Sequence, residues 1–524
     1  MLSNRAGSSG PELLTPTHSS SASLKLVYSS SFRYPAPGLS NTPPWECWVK
    51  MAIALGAASL LVAAWWSGTF HTLFRFIPDT ALGNLWLWSL TSYGFAHYVA
   101  LIWRVSLWLR YRPLPPVAES ELPSVSIVIP VYNEGPLVRD SILSVANGSY
   151  PRDRLQVIVV DDGSTDDTWQ YIQRAVHEAK IEVLTIRNPE NRGKRDALHR
   201  GFGKATGEVW ITVDSDSVVE PDALENGVSA LVHDPKIGCV AGSVKVLNRN
   251  DSLITRFLKI SFSLSFAFSR AYQSQIRGLL TTPGALSIYR ASAVKPVLSR
   301  WIHQRFLGVA CLTGEDRALT NLITAQGFYS IYQSNAVVWS KMPISYAGMT
   351  KMFLRWARSN IRETAFLFSY LFKPFRADYV WGFRINSVLV ASTLVVPYVL
   401  IGQSYALMLT KPLWLFRHVV MITLLGVTMA LIYYRNERDS DFLWVILYEF
   451  FWVLACQWII PYAFLTCRHQ GAWITRGTTR SSHQVTFKNN PRKRVPGGPE
   501  GAETYSNLDS SGDRDGSEEP TQAY

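Results

Sequence analysis

Hydrophobic and polar positions follow two regimes along this chain of 524 residues. In the first, apolar residues run on with no polar face. The stretch from Val49 to Trp66 (VKMAIALGAASLLVAAWW) is long enough, as a helix, to cross a hydrocarbon layer of roughly 30 Å. A second run, Leu85 to Leu109, carries Trp86, Trp88, Trp103 and Trp108, and Trp near both ends suits a membrane–water border. Arg104, Arg110 and Arg112 gather at its C-terminal end, which the positive-inside rule puts in the cytosol. Three more spans are predicted at about 385–409, 417–434 and 441–466.

In the second regime, residues 113–345, short Val/Ile runs end in polar loops. PSVSIVIPVYNE (123–134), LQVIVVDDGS (155–164) and GEVWITVDSDS (207–217) each precede a helix-like stretch, the signature of parallel strands joined by crossovers. Ligands of such sheets sit beyond the carboxyl ends of the strands, so all three acidic ends aim at one place. Two amphipathic stretches look interfacial. In 254–275, Leu258, Phe262 and Phe266 recur every four residues while Arg256, Lys259 and Arg270 interrupt. In 349–372, Lys351, Arg355, Arg358 and Arg362 form a basic stripe suited to a helix lying on anionic lipid, to an anionic substrate, or to both.

The expected organisation is therefore an arm without periodic structure (1–44), two spans (45–112), a cytosolic α/β domain (113–345), interfacial helices (346–384), about three spans (385–466) and a basic-then-acidic tail (467–524). One conflict is built in. Five spans put the tail outside, whereas Arg468, Arg476 and Arg480 beside the last span argue for inside. Either one apolar run is re-entrant or interfacial, or the charge rule fails; five spans are the expectation.

Composition sharpens this picture. The chain is 48% hydrophobic and only 17% charged, with 19 Trp, unlike a string of soluble domains. Five cysteines (47, 239, 311, 456, 467) form no CxxC or Cys/His cluster, as expected of free thiols in a reducing compartment. A net charge of +12 fits anionic lipid or a phosphorylated substrate. Nucleic acid is disfavoured, because the basic residues cluster beside spans and in the tail rather than on one soluble face.

Several polar clusters carry candidate chemistry. Asp214-Ser-Asp216 follows a strand, and two carboxylates so placed can grip a hard divalent cation that offsets a diphosphate. Asp161-Asp162-Gly163-Ser164 ends another strand and suits contacts to a base or ribose, with Gly163 permitting a tight turn. Tyr132, Asn133 and Glu134 end the first strand, where an aromatic face can stack on a base. Gly193-Lys194-Arg195 offers cations to the same ligand, and Thr313-Gly-Glu315-Asp316-Arg317 holds a candidate general base.

Taken together, VDDGS (160–164), DSD (214–216), TTPGALSIYR (281–290), GEDR (314–317) and LRWARSNIRE (354–363) stand in the order found in processive membrane family-2 glycosyltransferases. Over roughly residues 50–465 the chain resembles hyaluronan synthases and fungal type 2 glycosyltransferases. The resemblance implies an α/β GT-A domain inserted between transmembrane helices of a multi-pass protein. It implies a UDP-sugar donor, a polysaccharide acceptor, inversion at the anomeric carbon, and Mg2+ or Mn2+. By motif match, Asp161 and Asp162 would hold the uridine, with Tyr132, Glu134 and Lys194 in support. Asp214 and Asp216 would face the metal–diphosphate, with Asp216 as direct ligand. Asp316, flanked by Glu315 and Arg317, would be the catalytic base; Arg355 and Trp356 would grip the diphosphate and line the acceptor entry, near Pro283 and Gly284. One departure stands out: the Gln position of the QxxRW motif is Met352, followed by Phe353.

The implied product is a cell-surface glycan exported at the plasma membrane, with Golgi residence as the alternative. Two rivals stay open at this level: a single-transfer synthase acting on a polyprenyl phosphate, and a membrane scaffold that kept the fold without turnover.

Overall fold

The Val/Ile runs form the middle of a mixed eight-stranded sheet. In the computed structural model, residues 44–69, 81–378, 380–410 and 413–468 are described. The arm expected over 1–44 and the tail expected from 467 lie outside them, save for Pro44, Cys467 and Arg468. The strands are β1 (Val125–Val131), β2 (Leu155–Asp161), β3 (Val183–Arg187), β4 (Val209–Thr212), β5 (Ser217–Val219), β6 (Ile237–Val246) and β7 (Ser287–Arg290). A small hairpin, β8 (Arg305–Phe306) with β9 (Val309–Ala310), stands apart, and β10 (Tyr329–Ser340) completes the set.

The sheet order is β3-β2-β1-β4-β7-β6-β10-β5, with only β7 and β5 antiparallel to their neighbours. This is the mixed, mainly parallel sheet of a GT-A-like fold. Every residue of β1 is buried, which explains why its sequence reads as an unbroken apolar run. Alternate residues still face two different layers. Ile127, Ile129, Val157 and Val159 pack with the Leu137–Ala146 and Thr168–Glu178 helices. Val128, Ile158 and Val160 pack with the Lys194–Phe202 and Glu315–Ala325 helices. Val131 pairs with Asp161 and Val128 with Thr212, so the chain leaves β1, β2 and β4 at one sheet edge. The acidic ends thus converge as expected.

The stretch 254–275 is one continuous helical rod: α-helical over Leu253–Ser263, π-helical over Leu264–Arg270, then α-helical again to Gln275. Ser252 starts it with a capping box, its hydroxyl accepting from the Thr255 amide at 3.2 Å. Leu258, Phe262 and Phe266 are all buried, so the four-residue spacing marks a face packed on the catalytic domain. A second long helix runs Tyr346–Leu371.

Among the described residues, three helices are long and apolar enough to cross a membrane: Trp45–Trp66, Trp381–Gly402 and Trp414–Glu437. The Ala81–Arg110 helix has the length, 30 residues, but does not belong to that apolar set. Ser440–Cys456 and Ile459–Thr466 form a pair bent by 41°, a fourth candidate only if taken as one span.

An ion network ties these parts together. Glu46, 1% exposed at the start of the first helix, lies 2.7 Å from Lys50 and 3.0 Å from Arg256. Lys259 lies 2.7 Å from both Asp439 and Asp441, and Lys50 reaches Asp441 at 3.5 Å. Three cations and three carboxylates therefore bind the first helix, the 254–275 rod and the turn after Glu437. Glu46→Gln would leave two cations facing a neutral amide. The expected cost is about 2 kcal/mol, because hydrogen bonds to charged groups in a dry setting carry that much. A lower thermal midpoint of the detergent-solubilised protein, with Arg256 and Lys50 intact, checks it.

Candidate active site

The segment Thr313–Arg317 is held from outside by the Tyr346–Leu371 helix. Gly314 sits at φ +81°, a left-handed backbone that glycine adopts without strain. It also touches the helix so closely that a Cβ there would lie 1.7 Å from Ser359 Oγ. Arg362 Nη2 donates to the Thr313 carbonyl at 3.1 Å and to its hydroxyl at 2.9 Å. Arg317 donates to Asn360 Oδ1 at 2.7 Å and to Thr364 Oγ1 at 2.9 Å. From the other side the Trp301 indole donates to the Glu315 carbonyl at 2.8 Å. Arg317 was expected at the chemistry. It borders the cavity, but its guanidinium is engaged by the helix and so positions Asp316 rather than meeting ligand.

Glu315 and Asp316 open onto a cavity of about 430 Å³. Its lining includes a polar group, Lys194, Asp214, Pro283, Gly284 and Arg355, and a largely aromatic one, Phe262, Phe266, Arg270, Phe353, Trp356 and Trp452. The polar group is tightly coupled. Lys194 Nζ lies 2.5 Å from Asp214 Oδ1 and 3.0 Å from Glu315 Oε1. Burial, the largest single effect, would raise the Glu315 pKa, yet the Lys194 charge and hydrogen bond, a backbone amide and the Arg355 charge together outweigh it and hold the carboxyl below the ordinary range. Asp316 moves the other way. Burial first, then the neighbouring Glu315 charge, raise its pKa, and Lys194 offsets only part of that. One carboxylate is thus fixed in its ionised form, and its neighbour has increased proton affinity.

The nucleotide-side candidates stand at the ends of β1 and β2 and do not line this cavity. Asp161 is fully buried, accepting from the Ser164 amide at 3.0 Å and lying 3.3 Å from Arg187 Nε. Asp162 accepts from Asn188 at 2.7 Å, from the Gly193 amide at 2.7 Å and from the Arg192 amide at 3.1 Å. Burial raises its pKa against those hydrogen bonds. Both aspartates therefore fix the loops that follow β2 and β3. Asn133, at φ +49°, donates its amide to Ser164 Oγ at 3.0 Å, and the Glu134 amide donates to Thr168 Oγ1 at 2.9 Å. These bonds set the turn between Tyr132 and the β2 loop.

Three expectations change in detail. Arg195, expected to face the ligand with Lys194, turns into the core and donates to the Trp301 carbonyl and to Gln304, both at 2.9 Å. Asp214 lines the cavity, whereas Asp216 is buried and accepts from Ser217 Oγ at 3.1 Å and Ser340 Oγ at 3.4 Å. The basic stripe does not lie on lipid as a unit. Lys351 is exposed, but Arg355 borders the cavity, Arg358 donates to Thr466 Oγ1 at 3.0 Å and Arg362 is buried. Met352 is buried in the core, so the departure from QxxRW falls on packing, and Phe353 faces Trp356 and Trp452 instead.

Among the described residues no three His, Cys, Asp or Glu gather as a closed metal cage. Asp214 and Asp216 still fit Mg2+ or Mn2+, which take one or two carboxylates and complete their shell with water and phosphate oxygens. Sequence reasoning missed Trp301, Glu363 and Trp452. Glu363 accepts from Gln304 at 2.8 Å and Asn321 at 3.1 Å beneath the clamp. Trp452 lies in an apolar run whose composition reads as a span.

Gly314→Ala should displace Glu315 and Asp316 together and lower turnover about a hundredfold, the scale of an ångström-level misplacement. Adding Ser359→Gly should recover part of the loss by removing the clash while leaving the backbone strain. Steady-state rates of the two variants check this.

Residues 126–298 match glycosyl transferase family 2. The chain is 30% identical over 331 residues to an N-acetylglucosaminyltransferase of Rhizobium meliloti, covering 62% of this chain and 76% of that relative. It is 32% identical over 289 residues to a hyaluronan synthase of Streptococcus pyogenes, covering 54% and 68% respectively. Among solved structures, a mannosyltransferase from Pyrobaculum calidifontis aligns over 71% of this chain and 99% of its own, at a TM-score of 0.44 and 21% identity. With its mainly parallel sheet and an acid pair opening a helix beside the DSD loop, the chain belongs to glycosyltransferase family 2.

Proposed function

We propose that the protein is an inverting, processive polysaccharide synthase that uses a UDP-sugar at the cytosolic face and exports the glycan through its own membrane helices. The observation that carries this reading is the continuity of the cavity. It runs from Lys194 and Asp214, past Asp316, into aromatic walls contributed by the 254–275 rod, the Tyr346–Leu371 helix and the bent pair. A single-transfer enzyme has no need of stacked rings beyond its base. A growing glycan does, because aromatic faces pack on the apolar faces of sugars.

In this reading the uridine lies at the ends of β1 and β2, among Tyr132, Glu134, Asp161 and Asp162. Lys194 and Arg355 face the diphosphate. A bound Mg2+ or Mn2+, held by Asp214 and Asp216, supplies positive charge that offsets that of the diphosphate. Asp316 takes the proton of the acceptor hydroxyl, whose oxygen attacks the anomeric carbon as the bond to the diphosphate oxygen breaks. UDP leaves and the configuration inverts. The raised proton affinity of Asp316 suits it to this task. Pro283, Gly284 and Trp356 border the terminal acceptor sugar.

The same contacts support a topology. The first helix begins, and the Asp439–Asp441 turn lies, against Arg256 and Lys259 of the catalytic-side rod. The bent pair begins at that turn and ends where Thr466 and Cys467 accept from Arg358 and Arg362. Both ends of the pair are thus on the catalytic side. The pair is a border element rather than a crossing, and the basic tail leaves toward the cytosol, as its charge favours. Residence at the plasma membrane, where the glycan would reach the cell surface, completes the proposal.

Full-length protein in lipid, supplied with radiolabelled UDP-GlcNAc, UDP-GlcA, UDP-Glc or UDP-Gal, tests the synthase reading. A product that lengthens with time and yields to a glycosidase is expected; only a short, organic-extractable product would overturn it. Asp316→Asn should cut transfer about 10²- to 10⁴-fold while UDP still binds. The pH profile provides a separate check. Asp316 must be ionised to act, and its pKa lies above the ordinary aspartate value, about 3.9, so the acid limb of turnover should too. Glu315→Gln removes the charge that helps hold it there, and the limb should move to lower pH.

A further inference from the structure

We infer that Lys194 is a stand-in cation: without donor it occupies the charge position on Asp214, so metal and nucleotide displace it efficiently only together. This rests on the reading of the cavity as the donor site. The ammonium lies 2.5 Å from Asp214 Oδ1 and 3.0 Å from Glu315 Oε1, bridging the DSD loop and the catalytic acid pair. The side chains are mostly withdrawn from water, at 15%, 24% and 13% exposure. Gly284 closes the third side. A Cβ there would lie 2.7 Å from Lys194 Nζ and 3.3 Å from Asp214 Oδ1, so the backbone wall fits around the pair as it stands.

A divalent ion on Asp214 and the ammonium on the same oxygen exclude each other, because like charges would meet at contact distance. Metal arriving alone takes Asp214 and leaves Lys194 beside a dication with only Glu315 to face. Nucleotide arriving alone places a diphosphate beside the Asp214 carboxylate. When both arrive, the metal takes Asp214 and Lys194 transfers to a phosphate oxygen, so every charge keeps a partner. A lysine suits the exchange, being a compact charge on a flexible stem. Its anchor is also linked to the nucleotide side. Lys194 opens its helix directly after Gly193, whose amide donates to Asp162 at 2.7 Å. Coupling of this kind is reciprocal, so UDP must tighten metal binding by the factor with which metal tightens UDP.

The experiment measures Mn2+ binding by the electron paramagnetic resonance signal of the free ion, on the full chain in lipid, with and without UDP. Wild-type protein should bind Mn2+ weakly alone and at least about tenfold more tightly with UDP. Lys194→Met, and independently Lys194→Gln, should bind Mn2+ without UDP at least about tenfold more tightly than wild type, with the UDP enhancement reduced. An unchanged or weaker UDP-free affinity in a folded Lys194 variant overturns the inference and leaves the donor-site reading intact. So does a wild-type affinity for Mn2+ that UDP does not alter, provided UDP itself binds. Wild-type protein that binds neither UDP nor Mn2+ overturns the donor-site reading and the inference with it.

Discussion

The contact between Gly314 and Ser359 is the constraint on which the site depends. It lets the segment that carries the acid pair lie directly against the Tyr346–Leu371 helix, with no side chain on Gly314 to hold them apart. Arg317 and Arg362 then fasten the segment on either side. Glu315 and Asp316 are thereby positioned by the same helix that carries Arg355 and Trp356. The α/β domain and this helix thus contribute to one site.

Much of the soluble domain was legible in the chain because its physics is local. Strands buried on both faces leave unbroken Val/Ile runs, and the polar residues that end them must leave the sheet at its edge. The ends of β1, β2 and β4, with Tyr132, Asp161 and Asp214, could be placed near one another from the strand pattern, whereas Glu315 and Asp316 could be added only by motif match. Arg195 and Arg317 could be placed by neither. A basic residue next to a motif looks the same in sequence whether it faces a ligand or holds a loop, and only long-range partners such as Gln304 and Asn360 decide. The stripe from Lys351 to Arg362 misleads for the same reason. Helical spacing predicts one face, while the structure divides that face among solvent, cavity, the bent pair and the core.

The span count illustrates a different limit. Apolar length measures how much lipid-like surface a helix can cover, not where its ends are tied. The run from 441 to 466 has the composition of a crossing, yet its ends reach Lys259 and Arg362, which belong to elements packed on the catalytic domain. Trp452 was hidden in that run. Its π-helical turn, 452–456, and the one at 264–270 both border the cavity, and extra residues per turn are a common means of re-aiming side chains at functional sites.

The surplus positive charge acquires a physical meaning once these residues are located. Arg195, Arg317 and Arg362 are buried, and their described hydrogen bonds run to carbonyls, amides and hydroxyls rather than to carboxylates. Arg270 follows the same pattern in the aromatic group, donating to Ser265 and stacking on Phe266 at 3.8 Å. Burial without ionic partners lowers the pKa of each of the four, with desolvation as the leading cause. Arg195 interacts electrostatically with Glu315, and Arg270 and Arg317 with Asp316, so each acid has cationic neighbours besides Lys194. That charge is supplied by residues that also hold the surrounding segments in place. Structural support and charge balance are therefore the same set of contacts, and neither can be altered alone.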